Sequence, residues 1–377
     1  MIKILKLSFY YDFYLQWFYR KNDLNDKSYN DHLNIIFSDR FSWSDSFKNV
    51  FKNFNIGEVE EVIANDEFLQ KKWLSEFLKK KCDKNWVLYI LEQQIKFYKP
   101  NIIIVDAPTL SEEYFILFKK YNLKIISYDG IASHNNILIK YSDLIFTCLR
   151  SSERFYKENN KKVFFMPHGF DTRLSFLNDV KKKINLSFIG NILNKNHANR
   201  VDILYELLKK NSISIWIGDL SKLNITKKKA NFFSFKNIPK IINFISMYKK
   251  IKKINKFNKG EVFGIDMYTK LAMSLVTLNS HISVAGNEAA NLRLFEATGL
   301  GSCLLTDKKN NISDFFTPDE IVSYDNKYDA VEKAKYLLSN PKMTELIGKK
   351  AKQKTYSKHS LEIRWNSFIQ YLNSNFF

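Results

Sequence analysis

Two glutamates, Glu288 and Glu296, lie eight residues apart in the segment NEAANLRLFEATGLGSCLLTD, residues 287–307. This segment is small, glycine-containing and acidic, whereas the rest of the chain is rich in Lys, Asn, Ile and Phe. If EAANLRLFEAT is a helix, eight residues advance about 12 Å along its axis and rotate about 80° beyond two full turns. The two carboxylates therefore cannot bind one atom, but they can bind two ends of an elongated ligand.

The start of that helix adds a second kind of chemistry. Its unsatisfied backbone N–H groups carry partial positive charge and favour a phosphate. Arg293, with Asn291 nearby, can add charge-assisted hydrogen bonds, and Glu296 can accept two hydrogen bonds from vicinal hydroxyls such as those of a ribose. The implied ligand is a nucleotide diphosphate carrying a sugar. The spacing alone equally allows Glu288 to be favoured only by the helix dipole and Glu296 to be a solvated surface residue.

Three further residues are candidates for donor binding. Gly190 and Asn191 end the predicted strand NLSFIG, where a turn between strand and helix can approach a phosphate without an intervening side chain. A tight turn alone would also explain Gly190. Arg200 lies on the helix that follows, from which it can reach the diphosphate or form a surface ion pair.

The candidates for catalytic groups are Glu288, His281, Asp129 and His134. His281 follows a predicted strand and precedes the two-glutamate segment, so it can hydrogen-bond the donor sugar or phosphate. Asp129 and His134 lie in SYDGIASHNN, at the expected carboxyl end of an N-terminal strand, where ligands of parallel α/β sheets bind. Either could be a general base for an inverting reaction.

Metal and redox cofactors are not indicated. No DxD follows a strand, and the six histidines show no ligand spacing. No GxGxxG fingerprint for a dinucleotide is present. The three cysteines are far apart in sequence and show no CxxC spacing, which fits a reducing cytoplasm.

The elements that position these residues alternate between apolar runs and amphipathic stretches, the pattern of an α/β chain with parallel strands. Five apolar runs, IKILKLS, NIIIVDAP, LKIISYDG, DLIFTCL and KVFFMPHG, predict strands in the first half. The pattern restarts near residue 175 with NLSFIG and SISIWIGD, followed later by SLVTLN and SCLLTD. MYTKLAM predicts a short helix with Asp266 as its N-cap, and residues from about 327 onward are predicted helical. Residues 220–260 give no clear pattern.

The net charge and the N-terminal sequence indicate which partners and which cellular location to expect. With 59 Lys and Arg against 39 Asp and Glu, the net charge is +20, which fits a lysine-rich surface or attraction to anionic ligands, membranes or nucleic acid. The lysine clusters are scattered along the chain. The N-terminal apolar run contains Asp12 and Gln16, so a strand is expected there and not a signal peptide. No apolar stretch reaches bilayer-spanning length, and we expect a cytoplasmic protein.

Beyond these patterns, LNSHISVAGNEAANLRLFEATGLGSCLLTD (residues 278–307) resembles the donor-binding motif of GT-B glycosyltransferases of the group 1 type. It is most similar to the CgeB-like (spore maturation protein-like) family. NDEFLQKKW (65–73), LSFIGNILNKNHANRVDIL (186–204) and GEVFGIDMY (260–268) are similar to other segments of that family, in the same order.

The resemblance implies two facing Rossmann-like domains with a cleft between them. Residues 1–174 would bind the acceptor, residues 175–355 the nucleotide-sugar, and a helix at 356–377 would return to the first domain. Glu296 corresponds to the glutamate that binds ribose hydroxyls in related Glu-x7-Glu transferases, and Glu288 matches the first glutamate of that pattern. The CgeB-like family does not require a carboxylate at that first position, so the role of Glu288 and the stereochemistry of transfer stay open.

The function implied is a metal-independent glycosyltransferase that moves a sugar from a nucleotide-diphosphate donor to an acceptor hydroxyl. The expected acceptors are a glycan, a lipid-linked glycan or a protein of a bacterial surface, with peripheral contact to the inner face of an anionic membrane and no nucleic acid as partner. Two alternatives are a nucleotide-sugar epimerase or hydrolase of the same fold and a basic nucleic-acid-binding protein.

Overall fold

The chain forms two compact units: Met1–Asp171 with Ser360–Phe377, and Thr172–His359. The computed structural model describes residues 2–82, 84–107, 109–132, 135–192, 198–210, 213–218, 238–282 and 286–376. The resemblance predicts the division after residue 174 and the end of the second domain at residue 355.

The first unit contains a parallel sheet whose described strands are all short and largely apolar. They are β1 (Ile2–Ser8), β2 (Gly57–Ile63), β3 (Ile102–Asp106), β4 (Lys124–Asp129), β5 (Leu144–Thr147) and β6 (Val163–Phe165). Their order across the sheet is β2-β1-β3-β4-β5-β6, and every neighbouring pair is parallel. Near-continuous burial along β3 and β4 explains their β-branched sequences, because both faces of a parallel sheet are covered by helices.

The helices of the first unit cover those faces. In chain order they are α1 (Asp12–Lys21), α2 (Tyr29–Ser38), α3 (Ser46–Phe51), α4 (Glu67–Leu78), α5 (Trp86–Tyr98), α6 (Glu112–Lys120), α7 (Asn136–Tyr141) and α8 (Arg150–Glu158). Side chains from α5, α6 and the strands form one core, in which Phe115, Phe118 and Ile103 are fully buried. This core holds the carboxyl edge of the sheet in place.

The second unit has a parallel sheet of its own. Its described strands are β7 (Ile184–Ile189), β8 (Ser214–Trp216), β9 (Ser274–Leu278), β10 (Cys303–Asp307) and β11 (Val322–Tyr324), in the order β11-β10-β9-β7-β8. Its described helices are α9 (Ala198–Lys210), α10 (Ile238–Asn255), α11 (Gly264–Ala272), α12 (Leu292–Gly299), α13 (Lys327–Ser339) and α14 (Pro341–Lys358). Leu204, Ile215, Val276 and Leu305 join α9 to three strands in the core.

The last described helix, α15 (Leu361–Asn375), packs in the first unit. Its Trp365 is fully buried, donates a hydrogen bond from Nε1 to Ser46 Oγ at 2.8 Å, and lies edge-on to Trp43 and Phe47. The polypeptide therefore leaves the first unit after Asp171 and re-enters it at Ser360.

Both sheets share one topology. Reading from β2 or from β8, the strand order is second, first, third, fourth, fifth, and the first sheet adds a sixth strand at the far edge. The connections therefore leave the first strand in opposite directions on its two sides. In open α/β sheets the gap between those connections, at the carboxyl ends of the first and third strands, is where ligands bind. The fold thus defines one candidate position in each unit: β1/β3 and β7/β9.

The strand predictions in both halves are confirmed, and the predicted C-terminal helices are present as α13, α14 and α15. Two details were wrong. Asp266 is not an N-cap, because α11 begins at Gly264 and Phe263 occupies the cap position. The helix in the two-glutamate segment begins at Leu292 and not near Glu288, because Asn291 caps it with its side chain. Residues 220–237 lie outside the described part of the chain.

Candidate donor site at the carboxyl edge of the second sheet

The loops after β7 and β9 meet at the switch point of the second sheet, and Arg200 joins them. From α9, its Nη1 donates to the Asn191 carbonyl at 2.9 Å, while Nε and Nη2 donate to the Ser280 carbonyl at 2.9 and 2.7 Å. Burial lowers the pKa of Arg200 to about 10, so the guanidinium stays charged at neutral pH. Arg200 therefore fixes both loops and leaves a positive charge between them.

The start of α12 lies at the same edge, and some of its backbone N–H groups are available as hydrogen-bond donors. The Asn291 side chain accepts from Leu294 N at 3.2 Å and donates to Asn279 Oδ1 at 2.8 Å, which ties the helix start to the loop after β9. Within the described residues, no acceptor pairs with the N–H groups of Leu292 and Arg293. Free N–H groups at a helix start are suited to a phosphate.

Arg293 and Glu296 form an ion pair one turn apart on α12. Arg293 Nη1 lies 2.8 Å from Glu296 Oε2, and the side chains are only 15% and 9% exposed. Nη2 of Arg293 lies 3.5 Å from the Ile189 carbonyl, at the end of β7, and 3.2 Å from Met267 Sδ. Tyr268 donates to Glu296 Oε1 at 3.3 Å, a long bond that leaves acceptor capacity on the carboxylate.

His281 presents an unused nitrogen at this edge. Its Nδ1 lies 2.7 Å from Asp307 Oδ1, and its backbone N–H donates to the same oxygen at 2.9 Å. A carboxylate only accepts, so Nδ1 carries the proton and Nε2 is the acceptor of the neutral ring. Nε2 is buried and has no hydrogen-bond partner among the described residues. A buried ring nitrogen without a hydrogen-bond partner lowers the stability of the folded protein unless a ligand or water molecule donates a hydrogen bond to it.

Asp307, the last residue of β10, orients that histidine. Burial alone would raise the pKa of Asp307, but the hydrogen bonds and charge of His281, with Lys309 at 3.4 Å, lower it below its usual value. The carboxylate is therefore ionised at neutral pH.

Gly190 follows β7 and lies beside Arg200. A Cβ placed on it would come within 3.3 Å of the Phe188 ring and 3.8 Å of Arg200 Nη1. The backbone at Gly190 and the exposed Asn191 thus lie next to the Arg200 guanidinium. Together, Gly190, Asn191, Arg200, His281, Asn291, Arg293 and Glu296 are linked through one set of contacts at one sheet edge.

Comparisons with known proteins agree with this architecture. Residues 239–370 match a family model described as glycosyl transferase-like. No curated protein matches the sequence. Among solved structures, HepE from Anabaena in complex with UDP-glucose is similar, with 12% identity, a TM-score of 0.57, and coverage of 99% of this chain and 100% of that chain.

Two further structures extend the comparison. Sucrose-phosphate synthase from Thermosynechococcus elongatus has 8% identity, a TM-score of 0.61, and coverage of 100% of this chain and 99% of its own. A Listeria monocytogenes protein described as a UDP-N-acetylglucosamine 2-epimerase has 12% identity, a TM-score of 0.51, and coverage of 100% and 96%. The chain has the GT-B glycosyltransferase fold. The matched family model places a glycosyltransferase-like segment at α10 to α15 of this GT-B chain.

Glu288 does not lie on α12, the helix that carries Glu296. It lies in an irregular segment four residues before α12, next to Ala289, whose N–H donates to Asn311 Oδ1 at 2.6 Å. The 12 Å helical separation predicted for the two glutamates is therefore wrong, because the helix does not extend back to Glu288.

The two general-base candidates in the first unit, Asp129 and His134, do not form a comparable site. Asp129 ends β4 but is fully buried, and its two oxygens accept from Tyr156 Oη at 2.7 Å and from Ile131 N at 3.1 Å. These bonds hold the loop after β4, which is a structural use of the carboxylate. His134 lies outside the described residues.

Several residues at these edges are not predicted by the sequence patterns. Asn279 contacts Asn291, Tyr268 contacts Glu296, and Asp307 was not recognised as the partner of His281. Asp106, at the end of β3, was not singled out. The sequence signal that could have identified it is an aspartate directly after an all-apolar run.

Two findings concern the described residues as a whole. No group of three or more His, Cys, Asp or Glu side chains within them is arranged to hold a metal ion. None of the helices in that part of the chain has both the length and the apolar character required to cross a bilayer.

Proposed function

We propose that the protein is a glycosyltransferase that moves a sugar from a nucleotide-diphosphate-sugar to an acceptor hydroxyl, without a metal ion. The observation that carries this proposal is the convergence, at the β7/β9 switch point, of two guanidinium groups, free helix-start N–H groups, a buried carboxylate and an unpartnered imidazole nitrogen. Each of these groups matches one part of such a donor.

The diphosphate would lie at the start of α12. The N–H groups of Leu292 and Arg293 can each donate to a phosphate oxygen, and Arg200 and Arg293 supply charge. These groups can take the place of a divalent ion, because they stabilise the negative charge that develops as the diphosphate leaves. Loss of the leaving group is the step in which such preorganised donors contribute most.

The two ends of the donor would bind to different side chains. Glu296 has acceptor capacity for the ribose hydroxyls, and Tyr268 and Arg293 hold its carboxylate in place. His281 Nε2 can accept from a sugar hydroxyl or, when the ring is protonated, donate to a phosphate. The complex of HepE with UDP-glucose supports a uridine nucleotide as the first donor to test.

A thermal-shift panel tests the donor site. Wild type, Glu296→Gln and Arg293→Met are heated with UDP, GDP, TDP and CMP and with their sugar conjugates, in the presence of EDTA. A ligand at 100 times its Kd stabilises the folded protein by about 2.7 kcal/mol. We expect one nucleotide class to stabilise wild type and neither variant. The exposed Glu332, in the same unit, provides the matched control Glu332→Gln, which keeps the shift.

The outcomes separate the proposal from its rivals. Absence of any shift in wild type, both in EDTA and with added divalent metal, or an unchanged shift in Glu296→Gln, would refute the donor site. A shift that requires added divalent metal would refute metal independence. Conversion of the donor to an isomeric nucleotide-sugar without an acceptor would instead identify an epimerase. Salt-dependent binding to an oligonucleotide that survives Glu296→Gln would favour the nucleic-acid alternative.

The acceptor and its location form the second part of the proposal. We infer that the first unit, with residues 2–171 and α15, binds the acceptor, and that this is a glycan, lipid-linked glycan or protein of a bacterial surface. The net charge of +20 supports peripheral contact with an anionic membrane on its cytoplasmic side.

A further inference from the structure

Helix α10 of the second unit presents a row of lysines to solvent. Its inward face is apolar: Met247 and Ile251 pack against the core, and Ile254 is fully buried. Its outward face carries exposed side chains at helical spacing. We call this face the basic stripe. It extends about 12 Å along the helix axis and consists of Tyr248, Lys249, Lys252, Lys253 and Lys256.

The charge of the basic stripe is not balanced by acidic neighbours. Residues 246–259 contain six lysines and no Asp, Glu or Arg. Lys250, beside the stripe, lies 2.6 Å from Asp202 Oδ1 of α9, but the lysines of the stripe itself have no carboxylate partner within the described residues. Soluble protein surfaces ordinarily mix both signs, because like charges on one surface repel and destabilise the folded state. A solvated helix face does not require this concentration of lysines.

The neighbouring helix α9 adds to the positive charge. Helix α10 packs against α9. Three ammonium groups from the two helices lie around the ring of Tyr205, at 4.5, 5.9 and 5.3 Å from its centre for Lys209, Lys250 and Lys253. The face of an aromatic ring attracts cations, so Tyr205 helps to hold these like charges together. Lysine clusters that are far apart in the sequence therefore form one basic surface.

Exposed aromatic rings accompany the lysines. Phe257, just beyond the stripe, is 48% exposed, and Tyr248 is 41% exposed. The segment that carries Phe257 is fixed to the edge strand β8, because the Lys259 N–H donates to the Ile215 carbonyl at 2.9 Å and Asn258 forms a parallel bridge to Ile215. Aromatic side chains beside lysines are typical of surfaces that lie at the boundary between water and a bilayer.

The side-chain types favour a lipid surface over a nucleic acid. Nucleic-acid sites typically use Arg, whose planar guanidinium forms paired hydrogen bonds with phosphates and bases, whereas the stripe contains only Lys, which acts as a point charge. Anionic headgroups form a layer of negative charge that attracts lysines without a fixed geometry. The apolar face of α10 is buried in the core, so this helix can lie against headgroups but cannot insert its apolar face.

We propose that the basic stripe, together with Phe257, is the surface through which the protein contacts an anionic membrane. This inference rests on the membrane contact in the function proposed above and gives that contact a location. The lysines of the stripe would lie among the anionic headgroups, and the rings of Tyr248 and Phe257 at the boundary with the acyl chains. The net charge of +20 would then act mainly through one surface and not evenly over the molecule.

Neutralising the stripe tests this assignment. The triple variant Lys252→Gln/Lys253→Gln/Lys256→Gln is sedimented with vesicles containing about 30% phosphatidylserine in phosphatidylcholine at about 0.1 M salt. Each lysine close to an anionic surface strengthens binding about fivefold, so we expect the variant to bind roughly 100-fold more weakly than wild type. The deficit should shrink at about 0.5 M salt, where the lysines of wild type are screened as well.

A second triple variant with the same net charge is the matched control. Lys335→Gln/Lys342→Gln/Lys349→Gln removes three exposed lysines from α13 and α14 of the same unit. We expect it to bind within about threefold of wild type, because interactions between exposed charges fall off within about 10 Å at this salt concentration. Both variants should keep the wild-type thermal shift with nucleotide, which shows that each is folded and that the donor site is intact.

Fluorescence tests the aromatic part of the surface. Phe257→Trp adds an indole whose emission is quenched by brominated acyl chains when it reaches the bilayer. Tyr336→Trp, at a position on α13 that is 58% exposed, is the matched control. In vesicles of brominated phosphatidylcholine and phosphatidylserine, we expect quenching of the emission that Phe257→Trp adds to wild type. The emission added by Tyr336→Trp should be unchanged.

Other outcomes would overturn the assignment. Equal weakening of both triple variants would show that net charge attracts the membrane without a defined surface, and quenching of Tyr336→Trp alone would place the contact elsewhere. If wild type does not bind these vesicles, the membrane contact and its location both fail, while the nucleotide thermal shift still tests the transferase separately. Oligonucleotide binding that is tighter than vesicle binding and is lost in the stripe variant would assign the surface to a nucleic acid instead.

Discussion

At the scale of single residues, the second unit uses its buried charges in pairs. Arg293 forms an ion pair with Glu296, and the neutral ring of His281 donates a hydrogen bond to Asp307, so all four side chains are largely buried. Each pair also leaves a hydrogen-bond acceptor available to a ligand: the carboxylate of Glu296 and Nε2 of His281. A ligand can therefore bind to these groups without first breaking the contacts that position them.

The stability contributed by Asp307 should depend on pH. Its pKa is lowered on folding, so its charge contributes stability above the unfolded value of about 3.8, and this is lost as pH falls through the lower folded pKa. We expect Asp307→Asn to lower the free energy of unfolding by about 1–3 kcal/mol at pH 7 and by less at pH 3.5, measured by urea denaturation.

The control for that measurement is Asp314→Asn, an exposed aspartate of the same unit. Its effect should be within about 0.5 kcal/mol at both pH values. An Asp307→Asn penalty that grows on acidification would contradict the ion-pair account.

The residues of the donor site could be named from sequence, but their partners could not. Glu296, Arg293, Asn291 and the loop after β7 follow from motif and strand order. The unused nitrogen of His281 depends on which groups lie near it after folding. Its partner Asp307 comes from another strand, and no local pattern records that pairing.

At the scale of elements, the position of α12 depends on a close helix contact behind it. Gly348 on α14 packs against the turn between α12 and β10, where a Cβ would lie 2.6 Å from the Gly301 carbonyl oxygen and 3.1 Å from Cys303 N. Gly301 itself has φ of 69°, so the turn has little freedom to move away. The absence of a side chain at Gly348 is therefore required.

Gly348→Ala should destabilise the protein although alanine is the better helix former. The clash is with backbone atoms, so we expect a loss of about 1–3 kcal/mol in the free energy of unfolding, against a propensity gain of about 1 kcal/mol. Urea denaturation measures the difference. Lys349→Ala, at the next and exposed position of α14, is the matched control and should be neutral. A Gly348→Ala variant as stable as wild type would show that the turn between α12 and β10 can move to accommodate the methyl group.

Element types were predictable from sequence, and helix starts were less so. Apolar runs located nine of the eleven described strands, because parallel strands are buried on both faces, whereas β2 and β11 were not predicted. The start of α12 was placed too early because Ala289 and Ala290 favour a helix locally, whereas Asn291 accepts from Leu294 N and pairs with Asn279 across the sheet edge. The pairing with Asn279 is tertiary and outweighs the local preference.

At the scale of the whole molecule, the net charge predicts where the protein binds. With a net charge of +20, we expect sedimentation with vesicles containing 30% phosphatidylserine at 0.1 M salt and not with pure phosphatidylcholine. Binding should weaken severalfold at 0.5 M salt because the Debye length shortens. Equal sedimentation with both lipids would argue against electrostatic contact with a membrane.

The return of α15 to the first unit has a consequence for synthesis on the ribosome. Residues 172–359 must all be translated before Ser360–Phe377 emerges, a delay of roughly 10–40 s at about 5–20 residues per second. Until then Trp43 and Phe47 lack the indole of Trp365 that covers them. The second unit can therefore finish folding before the first, and the nascent first unit exposes an aromatic surface that chaperones recognise.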